Sequence, residues 1–180
     1  STGVPKGAML SHRSLVRLVR PGGIIDFGPD EVSGMLASPS FDASAFEMWN
    51  ALLGGAGLAV YPAGTPSADR LREFLTDNDV TTMVFTTGFF HALVDSGVSV
   101  LDGLRQIVVG GEVLSPVHCA KATDRLPGLR IANVYGPTEC GSVTSFAVFD
   151  PELGTAQPLP IGSLLANTRV VLLDDTLAPI

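Results

Sequence analysis

The sequence predicts an α/β protein, with a mostly parallel β-sheet layered between flanking helices. Short apolar, β-branched runs alternate along the 180 residues with runs whose apolar residues recur at helical spacing. Hydrophobic residues make up 46% of the chain and charged residues only 16%, which favours a folded domain over a disordered segment. Strands that alternate with helices pair in parallel and are covered on both faces, so we expect a buried sheet.

The predicted elements follow from local patterns, taken in chain order. The first helix covers residues 11–19, where Ser11 can cap the first turn and apolar residues follow at helical spacing. The second covers residues 42–53, and its large apolar residues are expected to face inward: Phe46, Trp49, Leu52 and Leu53. The other predicted helices span 67–78, 86–96 and 115–126, and the predicted strands span 33–38, 57–62, 80–85, 104–112, 129–136 and 167–175.

The charge of the chain excludes several classes of partner. Its 11 basic residues and 18 acidic residues give a net charge of −7. Nucleic acid and anionic membranes require clustered Lys and Arg, so neither is expected as a partner. Arg13, Arg17 and Arg20 are spaced to share one face of the first helix, and we interpret them as a solvated face.

The two cysteines, Cys119 and Cys140, lie in no spacing that is typical of a metal or redox site, so we expect two free thiols. Free thiols fit a reducing compartment, and no signal peptide is visible, so a cytoplasmic location is expected. Residues 48–68 carry no charge, but glycines and prolines interrupt them and argue against a membrane-spanning helix.

The opening segment, STGVPKG, combines hydroxyls, glycines and one lysine within residues 1–7. Backbone amides freed by glycine, hydroxyl groups and an ammonium group together suit a polyphosphate. No Walker A pattern occurs in the chain, and an exposed turn with a lysine would have the same composition. Phosphate binding and an ordinary exposed turn therefore both stay open.

The segment NVYGPTE (133–139) follows a predicted strand and gathers several kinds of polar group. Tyr135 offers a ring for stacking on a base, and the amide of Asn133 can both donate to and accept from a base edge. Thr138 and Glu139 supply hard oxygens that suit Mg²⁺ and phosphate. The alternative is a Gly-Pro turn in which the tyrosine packs and the glutamate caps the next helix. Composition alone does not decide between the two.

Asp42 stands in FDASAFEMW (41–49), after an apolar run and at the start of a predicted helix. Capping a helix is the commonest function of an aspartate in such a place, and taken alone that interpretation is favoured. The functional interpretation is a carboxylate at the rim of an apolar cavity, placed to meet an ammonium group.

Taken in order, these segments resemble the adenylation domains of nonribosomal peptide synthetases, which are adenylate-forming enzymes. STGVPKGAMLSHRSL is similar to that family's phosphate loop, FDASAFEMW to its substrate-pocket motif, GGEVLS to its adenine-side turn and NVYGPTE to its nucleotide motif. PIGSLLANTRVVLLDDTLAPI is similar to the segment that follows. The resemblance covers residues 1–180 and implies part of the large N-terminal lobe of an acyl-CoA synthetase/luciferase-like fold, with a loop at about 149–162 before the terminal strand.

The family's ribose-binding aspartate and its small C-terminal lobe, with the lysine that serves adenylation, are not found within these residues. The resemblance therefore implies that the isolated segment is inactive.

The resemblance implies ATP and Mg²⁺ as cofactors, and it implies which residues would contact the phosphates and the metal ion. The β- and γ-phosphates would be surrounded by the loop that contains Ser1, Thr2, Gly3 and Lys6. Thr138 would touch the α-phosphate, and Glu139 would bind Mg²⁺. The implied catalytic residues are Lys6, Thr138 and Glu139.

The base side of the implied site comes from two turns. Gly111 and Glu112 would line the adenine with their backbone, Asn133 would bond the base, and Tyr135 would stack on it. The implied nucleotide-binding residues are Ser1, Thr2, Gly3, Lys6, Gly111, Glu112, Asn133, Tyr135, Gly136 and Thr138.

The resemblance also implies a substrate pocket, formed by Asp42, Ala43, Phe46, Val84, Val108, Gly110, Val134, Ser142 and Val143. Asp42 stands at the family's ammonium-binding position, which favours an α-amino acid. The other positions are apolar except for Ser142, which favours a branched aliphatic side chain such as that of valine or isoleucine. One methylene changes binding by only about 1–3 kcal/mol, so these two substrates are not ranked.

The implied reaction forms an aminoacyl-AMP and releases pyrophosphate. The aminoacyl group would then pass to phosphopantetheine on a carrier protein, among neighbouring synthetase domains. Two alternatives stay open: an acyl- or aryl-CoA synthetase of the same superfamily, and a non-catalytic nucleotide-binding or structural segment.

Overall fold

The computed structural model describes residues 3, 6–19 and 23–180, and it confirms the predicted α/β architecture. The predictions for Ser1 and Thr2 lie outside the described residues. The strands are β1 (Val32–Met35), β2 (Gly57–Val60), β3 (Thr82–Thr86), β4 (Gln106–Gly110), β5 (Arg130–Tyr135), β6 (Ser145–Val148) and β7 (Ser163–Leu164). The helices are α1 (His12–Leu18), α2 (Asp42–Gly54), α3 (Ala68–Asp77), α4 (Thr87–Gly97) and α5 (Pro116–Arg125).

The strands form one seven-stranded sheet in the order β2-β1-β3-β4-β5-β6-β7. β1 to β5 pair in parallel, whereas β6 and β7 pair antiparallel. The strand order reverses at β1, which has β2 on one side and β3 on the other. In open sheets of this kind, ligands bind outside the carboxyl ends of the strands.

Helices cover both faces of the sheet and enclose two apolar cores. One core contains Phe74 of α3, Phe90 of α4 and Ile107 of β4. The other contains Phe46 of α2 and Val108, the next residue of β4. Successive residues of a strand point to opposite faces, so the apolar strands are buried on both sides, as the sequence predicts.

The first helix begins where the sequence predicts. The Ser11 side chain accepts a hydrogen bond from the backbone N–H of Ser14, so it caps α1. Ser67 caps α3 in the same way through the N–H of Arg70. Such caps satisfy backbone donors that have no partner inside the helix.

The predicted burial of Leu52 and Leu53 in α2 is wrong. Their exposed fractions are 53% and 58%. The buried side of α2 consists instead of Ser44, Phe46, Glu47, Asn50 and Ala51. Leu52 lies on the opposite side of the helix from these residues. Leu53 lies in the last turn of α2, beyond the buried Ala51.

The strand predicted over residues 167–175 is also wrong. These residues form no strand, and Val171 and Leu172 are 60% and 69% exposed. A strand requires a hydrogen-bonded neighbour, and within the described part of the chain this stretch has only an isolated bridge between Leu173 and Pro179. The sequence interpretation missed β6 and β7, which residues 149–162 connect.

Both cysteines carry free thiols, as predicted: Cys119 is buried and Cys140 is exposed. None of the helices that the structure describes has the length and apolar character needed to cross a membrane.

Candidate functional site

Three segments meet at the carboxyl edge of the sheet and define the candidate site. β4 ends at Gly110 and β5 ends at Tyr135, and the two strands are parallel neighbours. α2 begins at Asp42, after the end of β1. The segments that the sequence analysis selected for chemistry therefore lie where parallel sheets bind ligands.

A hydrogen bond joins Asp42 to the turn after β5. Thr138 Oγ1 donates to Asp42 Oδ2 at 2.8 Å, across 96 residues of sequence. The interpretation of Asp42 as a helix cap is wrong, because the cap position is Phe41 and Asp42 is the first residue of the helix. A carboxylate in the first turn of a helix interacts favourably with the helix dipole.

The turn after β5 packs tightly against the chain that returns toward β6. A Cβ atom on Gly136 would lie 2.5 Å from Ser142 O and 2.7 Å from Thr144 N. Thr144 also binds Tyr135 O with its backbone nitrogen at 2.8 Å and its hydroxyl at 3.0 Å. Glycine is therefore required at position 136 by close approach of the backbone.

The polar groups of this turn differ in their accessibility. Tyr135 is 54% exposed, and Thr138 and Glu139 are exposed as well. Asn133 is 6% exposed, and its Nδ2 donates to Pro160 O at 2.9 Å. That bond uses one of the two N–H donors of the amide, and the contact of Asn133 with a base stays a prediction.

The turn after β4 is fixed by Thr87, a residue to which the sequence alone assigned no role. The Thr87 hydroxyl, 1% exposed, lies 3.2 Å from both Gly110 O and Glu112 O. Thr87 is the first residue of α4, so the start of this helix fixes the turn of the neighbouring strand. A threonine in an apolar segment gives no sequence signal of such a contact.

Four predicted pocket positions share one face of the sheet. Val84 of β3 pairs with Val108 of β4, and Gly110 of β4 pairs with Val134 of β5. Alternate residues of a strand face the same side, so these side chains point toward α2. A Cβ atom on Gly110 would lie 2.7 Å from Val134 Cγ2, which explains the glycine.

Phe46 and Val143 join the three valines of these strands in one apolar cluster. Phe46, Val108 and Val143 are all at most 3% exposed and belong to the core on the α2 side, and Val84 and Val134 pack against that core. The other positions are half-buried or at the rim: Asp42 and Ala43, one helical turn from Phe46, and Ser142, whose φ is 71°. The structure thus brings the predicted pocket residues of α2, β3, β4, β5 and the turn 136–144 together.

The interpretation of the first helix as a solvated arginine face is wrong for Arg17. Its guanidinium is half-buried and donates to Cys140 O at 2.9 Å and to Val143 O at 2.7 Å. Burial lowers the pKa of Arg17, although a guanidinium stays charged at neutral pH. Arg13 is exposed, as predicted, and Arg20 lies outside the described residues.

Glu47 is a second residue that the sequence interpretation missed. It is 1% exposed and accepts hydrogen bonds from the N–H groups of Leu36 at 3.3 Å and Ala37 at 3.1 Å. These bonds connect α2 to the chain that leaves β1. Burial raises the pKa of the Glu47 carboxyl to about 7. The two hydrogen bonds lower this pKa, but their effect is smaller than that of burial. The only sequence signal was a carboxylate between Phe46 and Met48.

The predicted phosphate and metal ligands are exposed. Gly3 and Lys6 are exposed, and among the described residues the Lys6 side chain makes no hydrogen bond or ion pair that ties it to the site. The described part of the chain holds no group of three or more His, Cys, Asp or Glu side chains placed to bind a metal ion. Mg²⁺ that arrives with a nucleotide needs only one or two carboxylates besides phosphate and water, so a single exposed Glu139 fits that chemistry.

An open cavity of about 700 Å³ lies outside this edge, between α1 and residues 167–169. Arg13, Arg17 and Arg169 are among its lining residues. None of the predicted nucleotide or substrate residues that the structure describes lines this cavity. Its lining includes Cys140 and Thr144, which belong to the chain between β5 and β6. The candidate site is therefore defined by the segments that meet at the edge of the sheet.

Comparison with known proteins finds relatives that match nearly the whole chain. The family model described as "AMP-binding enzyme" matches residues 1–180. Bacitracin synthase 1 of Bacillus licheniformis is 36% identical over 176 aligned residues, which cover 97% of this chain and 3% of that protein. Tyrocidine synthase 3 of Brevibacillus parabrevis is 36% identical over 180 aligned residues, which cover 99% of this chain and 3% of that protein. The chain thus spans a small part of the length of the curated relatives that it matches.

Two solved structures show the same fold at 30% identity or more. Holo-PA1221, a nonribosomal peptide synthetase protein containing adenylation and carrier domains, superposes with a TM-score of 0.87 at 33% identity, over 94% of this chain and 29% of that one. The N-terminal subdomain of Klebsiella oxytoca NpsA, in complex with 3-hydroxybenzoyl-AMSN, superposes with a TM-score of 0.84 at 30% identity, over 100% of this chain and 44% of that one.

The chain belongs to the AMP-binding enzyme family. Within that family, its relatives and structural neighbours place it with the adenylation domains of nonribosomal peptide synthetases, as a segment of their N-terminal lobe.

Proposed function

We propose that this segment supplies the nucleotide and substrate site of a ligase that activates an amino acid with ATP, for nonribosomal peptide synthesis. The observation that carries the proposal is the 2.8 Å hydrogen bond between Thr138 Oγ1 and Asp42 Oδ2. It joins the carboxylate assigned to the amine of the substrate to the turn assigned to the nucleotide. A carboxylate that binds an ammonium group must lie close to the nucleotide, because the carboxylate of the same amino acid attacks the α-phosphate.

The reaction requires alignment and charge neutralisation more than covalent catalysis. An oxygen of the amino-acid carboxylate bonds to the α-phosphorus, and the bond from that phosphorus to the bridging oxygen breaks, releasing pyrophosphate. Thr138 would orient the α-phosphate, Glu139 would bind the Mg²⁺ that accompanies ATP, and Lys6 would neutralise charge on the β- and γ-phosphates. Tyr135 would stack on the adenine, since more than half of its surface is exposed at the sheet edge.

The apolar lining supports a branched aliphatic substrate such as valine or isoleucine. Phe46, Val108 and Val143 are buried in one cluster and offer no charge to a polar side chain. Asp42 is the one carboxylate among the proposed pocket residues, and we assign it the α-ammonium group.

The full protein is proposed to work with further domains. We expect residues 1–180 to be part of an adenylation core, completed by a C-terminal lobe, with a carrier protein whose phosphopantetheine accepts the aminoacyl group. The adenylation and carrier domains of PA1221 support that arrangement. A cytoplasmic location is proposed from the free thiols of Cys119 and Cys140.

Substitution of Asp42 tests the proposal in the adenylation protein that carries this segment. Asp42→Asn keeps an oxygen that can accept from Thr138 but removes the charge, and Asp42→Ala removes both. A hydrogen bond to a charged group is worth about 1.5–3 kcal/mol, so kcat/KM in amino-acid-dependent pyrophosphate exchange should fall by at least about tenfold with Asn and further with Ala. Asp124→Ala, at an exposed position of α5, is the control and should leave exchange unchanged.

Wild-type exchange rates in both Asp42 variants would contradict the amino-acid proposal. The branched aliphatic assignment is tested separately, with a panel of amino acids on the wild-type protein. Highest kcat/KM with a charged or aromatic amino acid would contradict it.

One observation favours an aryl acid as the alternative substrate. The NpsA subdomain, 30% identical to this chain, is in complex with 3-hydroxybenzoyl-AMSN, which carries an aryl acyl group. An aryl acid has no α-ammonium group, so in that case removal of the Asp42 charge should leave exchange intact. The Asp42→Asn variant therefore separates the two substrate classes.

A further inference from the structure

The Arg17 guanidinium forms hydrogen bonds with two segments that are distant from it in sequence, and none of the roles assigned above uses these bonds. Its Nη2 donates to Cys140 O at 2.9 Å and to Val143 O at 2.7 Å, with Gly141 O at 3.5 Å. Its Nη1 donates to the Thr168 hydroxyl at 2.5 Å. One guanidinium thus connects α1 to the turn after β5 and to the chain after β7.

The backbone of that turn has an unusual shape. Gly141 and Ser142 follow each other in the left-handed region, with φ of 83° and 71°. A residue other than glycine or asparagine rarely adopts this conformation, because it is strained for a residue with a Cβ atom. The surrounding structure must therefore stabilise the position of Ser142, which is half-buried.

Three backbone carbonyls of the turn face the guanidinium, and the geometry suits arginine in particular. Arginine has five N–H donors in a planar arrangement, so it can bind several carbonyls and a hydroxyl at once. Lysine has a single ammonium nitrogen and would lose part of the set. A Cβ atom on Gly141 would lie 3.3 Å from Arg17 Nη2, so the turn and the guanidinium are in close contact.

The same turn forms one wall of the proposed substrate pocket. Val143, 3% exposed, packs in the core that contains Phe46 and Val108. Leu18 of α1, 3% exposed, belongs to that core as well. α1 therefore contacts the pocket wall twice: through the apolar side chain of Leu18 and through the hydrogen bonds of Arg17.

We propose that Arg17 is a positioning residue for the substrate pocket: its guanidinium fixes the 140–143 turn, and thereby sets where Ser142 and Val143 meet the substrate side chain. This inference rests on the proposed activation of an amino acid. Arg17 contacts neither the substrate nor the nucleotide in it, so its effect is expected on amino-acid recognition and not on ATP binding.

The test uses pyrophosphate exchange by the adenylation protein that carries this segment, with separate KM values for the amino acid and for ATP. Arg17→Lys should raise the amino-acid KM by about tenfold and Arg17→Ala by about tenfold to a hundredfold, while the ATP KM changes by less than about twofold. The ratio of kcat/KM for the better of valine and isoleucine to that for the other should also decrease, because a pocket wall that is less rigid discriminates less between side chains of different length. Arg13→Ala, at an exposed position on the same helix, is the control and should leave both KM values unchanged.

A second variant addresses poor folding of the Arg17 variants. Thr168→Val removes only the hydroxyl that Arg17 Nη1 contacts, and should raise the amino-acid KM by about two- to fivefold. Unchanged amino-acid KM and unchanged preference in the Arg17 variants and in Thr168→Val would overturn the inference, even if their melting temperatures fall. Wild-type protein that exchanges pyrophosphate with no amino acid would instead overturn the proposed function on which it rests.

Discussion

Replacement of Gly136 by alanine should damage the site through the backbone alone. The added Cβ would lie 2.5 Å from Ser142 O, 2.7 Å from Thr144 N and 2.8 Å from Val143 Cα. All three atoms belong to the backbone, so no side chain can rotate away. Ordinary van der Waals contact begins near 3.4 Å, so the turn after β5 must move by about 0.6 to 0.9 Å from residues 142–144.

The expected effect follows from that displacement. Overpacking of this kind costs about 1–3 kcal/mol of stability, so the melting temperature should fall. A misplacement of about 1 Å can cost about a hundredfold in rate, so kcat/KM for pyrophosphate exchange should fall by about tenfold to a hundredfold. The turn carries Thr138, which we propose to contact the α-phosphate, and it packs against the backbone of Ser142, a proposed pocket residue. The KM for ATP and the KM for the amino acid should therefore both change.

Gly88→Ala is the matched control for the Gly136 substitution. Gly88 is an exposed residue of α4, and a Cβ atom added there would meet no atom within 4 Å beyond its own helix backbone and chain neighbours. Alanine there should leave activity unchanged and stabilise the helix by about 0.5–1 kcal/mol. Wild-type melting temperature and kcat/KM in Gly136→Ala would refute the reasoning from close approach.

Two further predictions concern buried titratable groups. Burial raises the pKa of the Glu47 carboxyl to about 7, from an ordinary value of 4.5. The protonated carboxyl therefore makes its full contribution to the free energy of unfolding below about pH 4.5. That contribution is lost as the pH rises through 7, by up to about 3 kcal/mol. The melting temperature of wild type minus that of Glu47→Gln should therefore decrease between pH 5 and pH 8, as scanning calorimetry can measure, and a constant difference would contradict it. Burial also raises the pKa of the Cys119 thiol to about 12, whereas Cys140 is exposed. Iodoacetamide at pH 8 should alkylate Cys140 in the native protein and Cys119 only after unfolding, and peptide mass spectrometry showing equal labelling would exclude this.

Most of the fold could be predicted from the sequence because its signals are local. Each parallel strand is a short apolar run, and α1 and α3 begin at serines that cap them. The convergence at one edge also follows from the pattern, since the carboxyl ends of parallel strands share an edge. Hence the proximity of Asp42 to the NVYGPTE turn could be predicted from the sequence.

The failures concern contacts between residues that are distant in sequence. Nothing near Arg17 distinguishes it from Arg13, because the carbonyls that it binds lie more than 120 residues away. The exposure of Leu52 and the absence of a strand at 167–175 depend on which neighbours are present, and composition does not encode that. Antiparallel β6 was missed because the interpretation assumed helical connections between all strands.

The antiparallel pairing of β5 and β6 determines where the sequence between these two strands can change. Tyr135 pairs with Ser145, so the intervening residues start and finish at anchor points whose separation is set by the ladder. Substitutions between these anchors can change the wall of the proposed substrate pocket while the two strands keep their register. The proposed substrate preference can thus change without a change in the strand pairing.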